Sequence, residues 1–304
     1  MAGDISIKLV EEVLNYADKV IFVDDLCPLK TGYKLKKKIL NENLHVIFNK
    51  KNLGVGASTK IGFKELIKLN CDIILKMDAD FQMYPKDIPQ MVNPIIHNEC
   101  ESTKGNRFTD IEKLLSMPKI RLIGNGLLSY LTKLTTGYWE LFDPTNGFIA
   151  FKASVLKKLD LKKTDNRFFF ETDLLFRCCL QNVLIKNIPI EPIYKNSLST
   201  LNPIKQIPIF FIRHIIIFFK RISYQYFLFD FNQGSLEIIL SIIMFFISFL
   251  IGLISIYKSS TTGIVTNPGT ASIFTITTVV AFQLLISFIY YDCTSRVLLR
   301  MKKL

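Results

Sequence analysis

The sequence predicts an α/β domain with a mainly parallel sheet, followed by amphipathic interfacial helices and a hairpin of two transmembrane helices. Amphipathic helical patterns alternate with short apolar strands through residues 1–204, as they do in parallel α/β sheets. Basic side chains interrupt an aromatic and aliphatic segment at 205–233, and two long apolar runs follow within 234–304. We therefore expect one soluble domain, an interfacial segment and a membrane hairpin, with boundaries at 204 and 233.

Helices and strands alternate at the start of the chain. In order, the sequence predicts a helix at 5–17, a strand at 19–25, a helix at 30–43, a strand at 44–50, a glycine-rich turn and helix at 52–70, and a strand at 71–80. Two of these strands end in carboxylates, at Asp24-Asp25 and at Asp78-Ala79-Asp80. Ligands of open α/β sheets bind outside the carboxyl ends of the strands, so we expect a binding site beside these acids.

Asp78 and Asp80 lie on one side of the chain as it leaves its strand. Two carboxylates in that arrangement suit a hard divalent cation that also holds a diphosphate. An isolated D-x-D sequence is more often a solvated turn or a helix cap. The buried strand before it, and the Asp24-Asp25 pair on an earlier strand, favour the cation site here.

The segment 207–231 mixes Phe and Ile side chains with the basic groups Arg213, His214, Lys220 and Arg221. Charges in the middle of the segment argue against a third membrane span, which is the alternative interpretation. We favour amphipathic helices in the cytoplasmic interface, with basic groups on lipid phosphates and apolar side chains at the acyl boundary.

Two apolar runs, at about 236–256 and 271–291, are each long enough to cross a hydrocarbon core of about 30 Å. A short polar turn separates them, and basic residues precede the first run and follow the second. The positive-inside rule therefore predicts that both ends of the hairpin are cytoplasmic. Two buried helices of a soluble protein are the alternative.

The composition excludes several other classes of protein. With 49% hydrophobic residues, including 25 Phe and 11 Tyr, the chain of 304 residues is not disordered. Its six cysteines contain no C-x-x-C pair, which argues against a disulfide scaffold or a zinc ribbon. The net charge of +12 is spread over helix faces and membrane-flanking segments, so anionic lipids and substrates explain it better than nucleic acid does.

Seven blocks then occur in a recognisable order: VIFVDD at 20–25, NLGVGAS at 52–58, KMDADFQMYPKDIP at 76–89, GNR at 105–107, DPTNGFIAF at 143–151, FFFETDLLFR at 168–177 and IPIEPIY at 188–194. In order and spacing they resemble family 2 glycosyltransferases, and within that family the polyprenyl-phosphate branch, similar to dolichyl-phosphate mannose and glucose synthases, with two C-terminal membrane helices. The resemblance covers nearly the whole chain. It implies a GT-A-type, Rossmann-like domain that binds a nucleotide sugar.

The resemblance also implies residue roles on the donor side. Asp78 and Asp80, with Gln82 nearby, would bind Mg²⁺ or Mn²⁺ and through it the donor diphosphate. Substrate-binding roles fall to five further residues: Asp25 at the nucleoside, Gly54 and Gly56 in a tight turn near the nucleotide, and Arg107 and Arg121 on the diphosphate or the acceptor phosphate.

The acceptor side carries three candidate catalytic carboxylates. We favour Glu171 and Asp173 for the acceptor site, with Asp143 as the second choice for a base or positioning group. A polyprenyl phosphate already presents an anionic oxygen and needs little deprotonation.

One departure from the family concerns the start of the chain. Family members begin with a strand and loop resembling V-x-I-P-x-Y-N-E, whereas this sequence begins in the helix that follows that element. We expect either that the start is assigned too late or that the chain is a truncated relative, which puts the activity of the chain as written in question. The VDDLCPLKTG segment also lacks the acids and hydroxyls that family members carry after the second aspartate.

These observations predict a membrane-anchored inverting glycosyltransferase for cell-surface glycan synthesis. We expect it to use a nucleotide-sugar donor and a polyprenyl-phosphate acceptor at the cytoplasmic face, in a bacterial inner membrane, with membrane lipids as partners and no nucleic acid. Two alternatives stay open: transfer to a glycan or lipid-linked saccharide, and a degenerate, non-catalytic membrane scaffold. The sequence also leaves open a homo-oligomer.

Overall fold

The computed structural model describes the backbone of residues 2–109, 119–144, 146–191 and 203–301. Within its helices, the side chains of residues 2–4, 119–121, 203–206 and 296–301 lie outside the described part. The chain forms two compact units, the first extending to Phe218 and the second comprising Phe219–Leu299. The boundaries at 204 and 233 stay predictions.

Helices and strands alternate through the first unit, as the sequence predicts. Its strands are β1 (Val20–Asp24), β2 (Leu44–Phe48), β3 (Ile73–Lys76), β4 (Ser102–Asn106), β5 (Ile149–Lys152) and β6 (Ile185–Pro189). Its helices are α1 (Ala2–Val13), α2 (Thr31–Lys38), α3 (Val55–Lys68), α4 (Ile88–Ile96), α5 (Lys119–Thr136), α6 (Ala153–Lys158), α7 (Phe170–Leu180) and α8 (Pro203–Ser223), with α8 continuing into the second unit.

The strands form two sheets in the described part of the chain. β1 and β2 pair in parallel, and a separate sheet has the order β3-β5-β4-β6. In the larger sheet β5 runs antiparallel to both β3 and β4, whereas β6 is parallel to β4. Strands β3, β4 and β6 therefore share one direction, which confirms the predicted α/β class with a mainly parallel sheet.

Helix α1 packs against both sheets. Ile7 and Val10 are buried with the side chains of β1 and β2, and Val13 packs on a second apolar cluster that includes Ile188 of β6. The Ser6 hydroxyl donates to the carbonyl oxygen of Ala79 at 2.8 Å. The amphipathic pattern at the start of the chain thus covers the region where β1 and β3 end.

The main core lies between the larger sheet and helices α3, α6 and α7. Phe151 and Phe170 are completely buried there, and the Phe63 ring meets Phe151 edge-on at 6.2 Å between centroids. Burial of a phenylalanine contributes about 1.5–3 kcal/mol, so this cluster fixes α7 against the sheet. It also fixes the acidic first turn of α7, which carries Glu171 and Asp173.

The second unit contains α9 (Gln233–Thr262) and, as far as Leu299, α10 (Pro268–Met301). Both are long and apolar enough to cross a membrane, with mean hydropathies of 2.8 and 2.1. They contain the predicted spans, but α9 continues through the lysine and hydroxyl residues of the predicted turn. It ends at Gly263, whose φ of 67° is the left-handed conformation that favours glycine at a helix terminus. Among the described helices, α8 does not meet the same criteria.

Polar contacts join the elements of the second unit. A buried ion pair links Arg221 to Asp292 at 2.7 Å, and the Tyr226 hydroxyl donates to the same carboxylate at 2.6 Å. Further along α10, the Ser287 hydroxyl donates to Glu237 at 2.7 Å. Polar groups in apolar helices are stabilised when they find such partners. The Asp292 contacts therefore hold the end of α8 and Tyr226 against α10, and the Ser287–Glu237 contact holds α9 against α10.

Candidate active site

A buried lysine connects two predicted site carboxylates at the end of β3. Lys76 is the last residue of β3, and its Nζ lies 2.7 Å from Asp78 Oδ1 and 3.2 Å from Glu171 Oε1. Burial disfavours the ammonium form, but the charges of Asp78 and Glu171 outweigh it and raise the pKa of Lys76. The Lys76 ammonium therefore holds the Asp78 carboxylate, which follows β3, and the Glu171 carboxylate of α7 in one cluster.

Asp80 lies beside this cluster at the rim. Its Oδ1 accepts a hydrogen bond from the backbone N–H of Gln82 at 3.1 Å. The residue as a whole is exposed, yet partial burial of the carboxylate raises the pKa of Asp80. The Gln82 hydrogen bond lowers this pKa, and the charge of Asp78 raises it further. A cation between the two carboxylates would relieve that repulsion.

The donor set at Asp78 and Asp80 fits a hard divalent cation. Within the described residues, no group of three or more His, Cys, Asp or Glu side chains is arranged to hold a metal by itself. Mg²⁺ usually keeps one or two protein carboxylates and takes its other ligands from substrate phosphates and water. Two neighbouring carboxylates are thus a sufficient protein contribution when a diphosphate is the co-ligand. The role of the Gln82 side chain stays a prediction.

Gly147 makes room for the Lys76–Asp78 pair. A Cβ at this position would lie 2.2 Å from Asp78 Oδ2 and 2.4 Å from Lys76 Nζ. The glycine of the DPTNGF block therefore allows close contact between the 146–148 backbone and the charged cluster.

Replacing Gly147 by alanine is expected to displace Asp78 and Lys76 and to lower activity by at least about tenfold, with an overpacking cost of about 1–3 kcal/mol. Gly62→Ala is the matched control, because a Cβ there would meet only Val23 Cγ2, at 3.7 Å. Thermal unfolding and initial-rate assays on both variants test this. Equal rates in the two variants would contradict the assigned packing.

An arginine and a buried aspartate form a second cluster after β4. Arg107 Nε and Nη2 donate to the two carboxylate oxygens of Asp143 at 2.6 and 3.0 Å. The Asp143 side chain is fully buried, whereas that of Arg107 is 21% exposed. This two-pronged contact occupies both oxygens of Asp143, so the carboxylate positions the guanidinium. Whether Asp143 also acts in catalysis stays a prediction.

Lys104 lies between the two clusters. It is buried in β4, and its Nζ donates to the carbonyl oxygen of Asn146 at 2.5 Å. Burial lowers the pKa of Lys104 from 10.5 to about 8, with the charges of Asp143 and Glu171 opposing the shift. Three basic groups, Lys76, Lys104 and Arg107, thus meet three carboxylates, Asp78, Asp143 and Glu171.

The Lys104 pKa has a consequence for stability. As the pH decreases, Lys104 is protonated in the unfolded chain near pH 10.5 but in the folded protein only near pH 8. The free energy of unfolding therefore falls between these pH values, and the cost of burying the ammonium is fully present below pH 8. Lys104→Met removes this penalty. We therefore expect the free energy of unfolding of the variant, minus that of the natural chain, to be about 2–3 kcal/mol larger at neutral pH than above pH 10. Denaturant unfolding at both pH values measures this, and a pH-independent difference would contradict the buried-ammonium interpretation.

The glycine-rich turn is organised by Asp25. Its carboxylate accepts backbone N–H bonds from Leu53 at 2.8 Å and Gly54 at 2.7 Å, and a side-chain bond from Asn49 at 2.7 Å. Burial raises the pKa of Asp25, but these hydrogen bonds outweigh it and the net pKa is lowered. Asp25 therefore holds the start of α3, and its contact with a nucleoside stays a prediction.

Gly54 and Gly56 pack against a distant part of the chain. Gly54 has a φ of 95°, and a Cβ on it would lie 2.5 Å from the carbonyl oxygen of Asn166. A Cβ on Gly56 would lie 2.5 Å from the carbonyl oxygen of Asp165. The two glycines thus allow the backbone of residues 165–166 to approach the turn closely. Their predicted place near a nucleotide is a separate proposal.

Asp173 belongs to that same region and not to the Lys76 cluster. Its Oδ2 accepts the backbone N–H of Asp165 at 2.8 Å, whereas Glu171 contacts Lys76. Burial raises the pKa of Asp173, opposed by this hydrogen bond. The two carboxylates proposed for the acceptor therefore have different surroundings, and Glu171 lies nearer to the metal-binding candidates.

The side chain of Arg121 lies outside the described residues. Sequence reasoning missed Lys76 and Lys104 as site residues. A lysine within the apolar run IILK, and another in the short strand STKGN, were the available signals. A charge in a buried strand is rare unless it is paired, so each indicates a partner carboxylate.

Known proteins resemble this chain in sequence. The sequence model described as Glycosyl transferase family 2 matches residues 7–160. The UDP-N-acetylglucosamine–dolichyl-phosphate N-acetylglucosaminyltransferase of Methanococcus voltae is 30% identical over 206 residues, which cover 62% of this chain and 81% of that protein. The undecaprenyl-phosphate mannosyltransferase of Micrococcus luteus is 25% identical over 173 residues, covering 56% of this chain and 70% of that protein.

A solved structure with the same fold is glucosyl-3-phosphoglycerate synthase from Mycobacterium tuberculosis, in complex with Mn²⁺, uridine diphosphate and phosphoglyceric acid. It has a TM-score of 0.51 and 15% identity, covering 71% of this chain and 73% of that chain. This likeness concerns the fold. From the family match over half of its length and the 30% identical relative, the chain belongs to glycosyl transferase family 2.

Proposed function

We propose that this glycosyltransferase moves a sugar from a nucleotide sugar to a polyprenyl phosphate, with inversion at the anomeric carbon. The reaction takes place at the cytoplasmic face of a cell membrane, which for a bacterial chain is the inner membrane. The observation that carries the proposal is the cluster of Asp78 and Glu171 around Lys76, with Asp80 at its rim and the Arg107–Asp143 pair beside it. The M. voltae relative is named for transfer to dolichyl phosphate and the M. luteus relative for undecaprenyl phosphate. Two membrane-capable helices in the same chain suit a lipid acceptor.

On the donor side, Asp78 and Asp80 would hold Mg²⁺ or Mn²⁺ together with the donor diphosphate. When bound, the cation supplies Lewis-acid stabilisation of the charge on the departing nucleoside diphosphate. Lys76 keeps Asp78 in place through its 2.7 Å contact. Arg107 offers a partly exposed guanidinium, oriented by Asp143, for a phosphate oxygen.

On the acceptor side, the phosphate oxygen is already anionic, so orientation contributes more than proton removal. Glu171, held by Lys76, is the carboxylate next to the donor-side candidates. We propose that it positions the acceptor headgroup. Asp173 would act by holding the backbone at Asp165, and Asp143 would act by holding Arg107.

Helix α8 provides a surface for the acceptor's membrane. One face packs against the domain through Phe210, His214 and Ile217. The rest of the helix surface exposes large apolar side chains: Ile207, Ile209, Phe211, Ile212, Ile215 and Ile216. An exposed apolar helical face beside basic groups is typical of helices that lie in a lipid interface, so we propose that α8 rests on the membrane.

A transfer assay on membranes that carry the full chain tests the proposal. Radiolabelled nucleotide sugars are supplied with Mg²⁺ or Mn²⁺, and EDTA serves as the control. We expect cation-dependent label in an organic-extractable lipid that mild acid hydrolyses. Label in a saccharide instead of a lipid phosphate, or no transfer by correctly inserted protein, would contradict the polyprenyl-phosphate acceptor.

A further inference from the structure

We propose that Arg213 and Asp165 are positioning residues that join α8 to the glycine-rich turn, so that the seating of α8 on the domain orders the donor side of the site. This inference rests on the proposed function, because that function assigns the Gly54–Gly56 turn to the donor. The joint is the segment 164–170, which leads into the first residue of α7 and contacts both elements.

On one side, the 164–170 segment lies directly on the turn and the start of α3. The backbone N–H of Ala57 donates to the carbonyl oxygen of Asn166 at 3.0 Å. Lys60 Nζ donates to the carbonyl oxygen of Thr164 at 3.0 Å and to Asn166 Oδ1 at 2.6 Å. These hydrogen bonds, and the close approach that leaves Gly54 and Gly56 no room for a Cβ, hold the turn to this backbone, so we expect a shift of the segment to move the turn.

On the other side, the same segment holds α8. Arg213 Nη1 donates to Asp165 Oδ2, and this carboxylate is 13% exposed. Phe169 is buried against two side chains of α8, with its ring centroid 5.4 Å from that of Phe210 and 5.1 Å from that of His214. His214 Nδ1 in turn lies 2.9 Å from the Thr135 hydroxyl, which fixes the rotation of α8 against α5.

Asp165 is the residue at which these two sets of contacts meet. Its Oδ1 accepts the backbone N–H of Arg167 at 2.6 Å, and its own N–H donates to Asp173 at 2.8 Å. Removing the Arg213 charge takes away the cation that directly contacts this largely buried carboxylate, which loosens the segment. We therefore expect the loss to appear at the turn, at residues 53–60, and not only at α8.

The test compares Arg213→Gln with Arg213→Lys in the full chain, reconstituted in phosphatidylglycerol-containing vesicles. Amide hydrogen exchange of residues 53–60 is measured without substrate, and the KM for the nucleotide sugar is measured separately from kcat. Arg213→Gln is expected to accelerate exchange at 53–60 and to raise the donor KM, each by about tenfold. Arg213→Lys, which keeps the charge, is expected to stay within about threefold of the natural chain.

Lys163→Gln is the matched control, because it removes one exposed cation two residues before Asp165. Unchanged exchange at 53–60 in Arg213→Gln would overturn the proposal, as would equal acceleration in Lys163→Gln. Exchange does not depend on turnover. Accelerated exchange in a chain that transfers no sugar would support the coupling and count against the proposed function.

Discussion

Asp80→Asn is expected to lower kcat by about 10²–10³-fold, because it removes one of two carboxylates that would hold the cation at the departing diphosphate. The folded protein should not lose stability. The pKa of Asp80 is raised in the folded state by partial burial and by Asp78, so its ionised form is disfavoured there and a neutral amide removes that cost. Initial rates across a Mg²⁺ and Mn²⁺ titration, with thermal unfolding in parallel, measure both effects.

The control is Asp72→Asn, which removes an exposed carboxylate immediately before β3, at the opposite end of the same strand. Its activity should match that of the natural chain. Full activity in Asp80→Asn at every cation concentration would show that the metal assignment is wrong. A fall in unfolding temperature would show instead that Asp80 is a structural carboxylate.

The sequence predicted the elements that depend on local patterning. The strands before Asp25 and Asp78 are apolar runs bounded by polar residues, and the helices between them have a helical period, so their positions follow from short segments. The membrane-capable helices follow from length and composition for the same reason. The separation of β1–β2 from the larger sheet, and the reversed direction of β5, depend on pairings between distant strands that no local pattern records.

The same distinction applies to the site. Asp78 and Asp80 can be predicted from their place after a strand, but a neighbour of their cluster comes from a distant part of the chain. Glu171, which contacts Lys76, lies 95 residues after it in the sequence. Gly54 and Gly56 were associated with a nucleotide, whereas their nearest contacts are Asn166 and Asp165. Side chains that neutralise one another across the fold, such as Lys104 beside Asp143, become visible only when the strands are in place.

Arg107→Met is expected to destabilise the fold by about 3 kcal/mol, because it removes the cation that is hydrogen-bonded to the fully buried Asp143 carboxylate. This value lies at the low end for a broken buried pair, since the Arg107 side chain is 21% exposed and solvent already screens part of the interaction. Arg107→Lys should retain part of the stability, because one ammonium cannot satisfy both carboxylate oxygens as the guanidinium does.

The double variant Arg107→Met with Asp143→Asn separates the two contributions in this prediction. If the cost comes from an uncompensated buried charge, removing that charge as well should restore about half of the lost free energy of unfolding or more. Transfer should nevertheless stay impaired in the double variant, because the guanidinium proposed to meet a phosphate oxygen is still missing. Additive losses in the two single variants, with no recovery in the double, would show that the pair is not coupled and that Arg107 is held by other contacts.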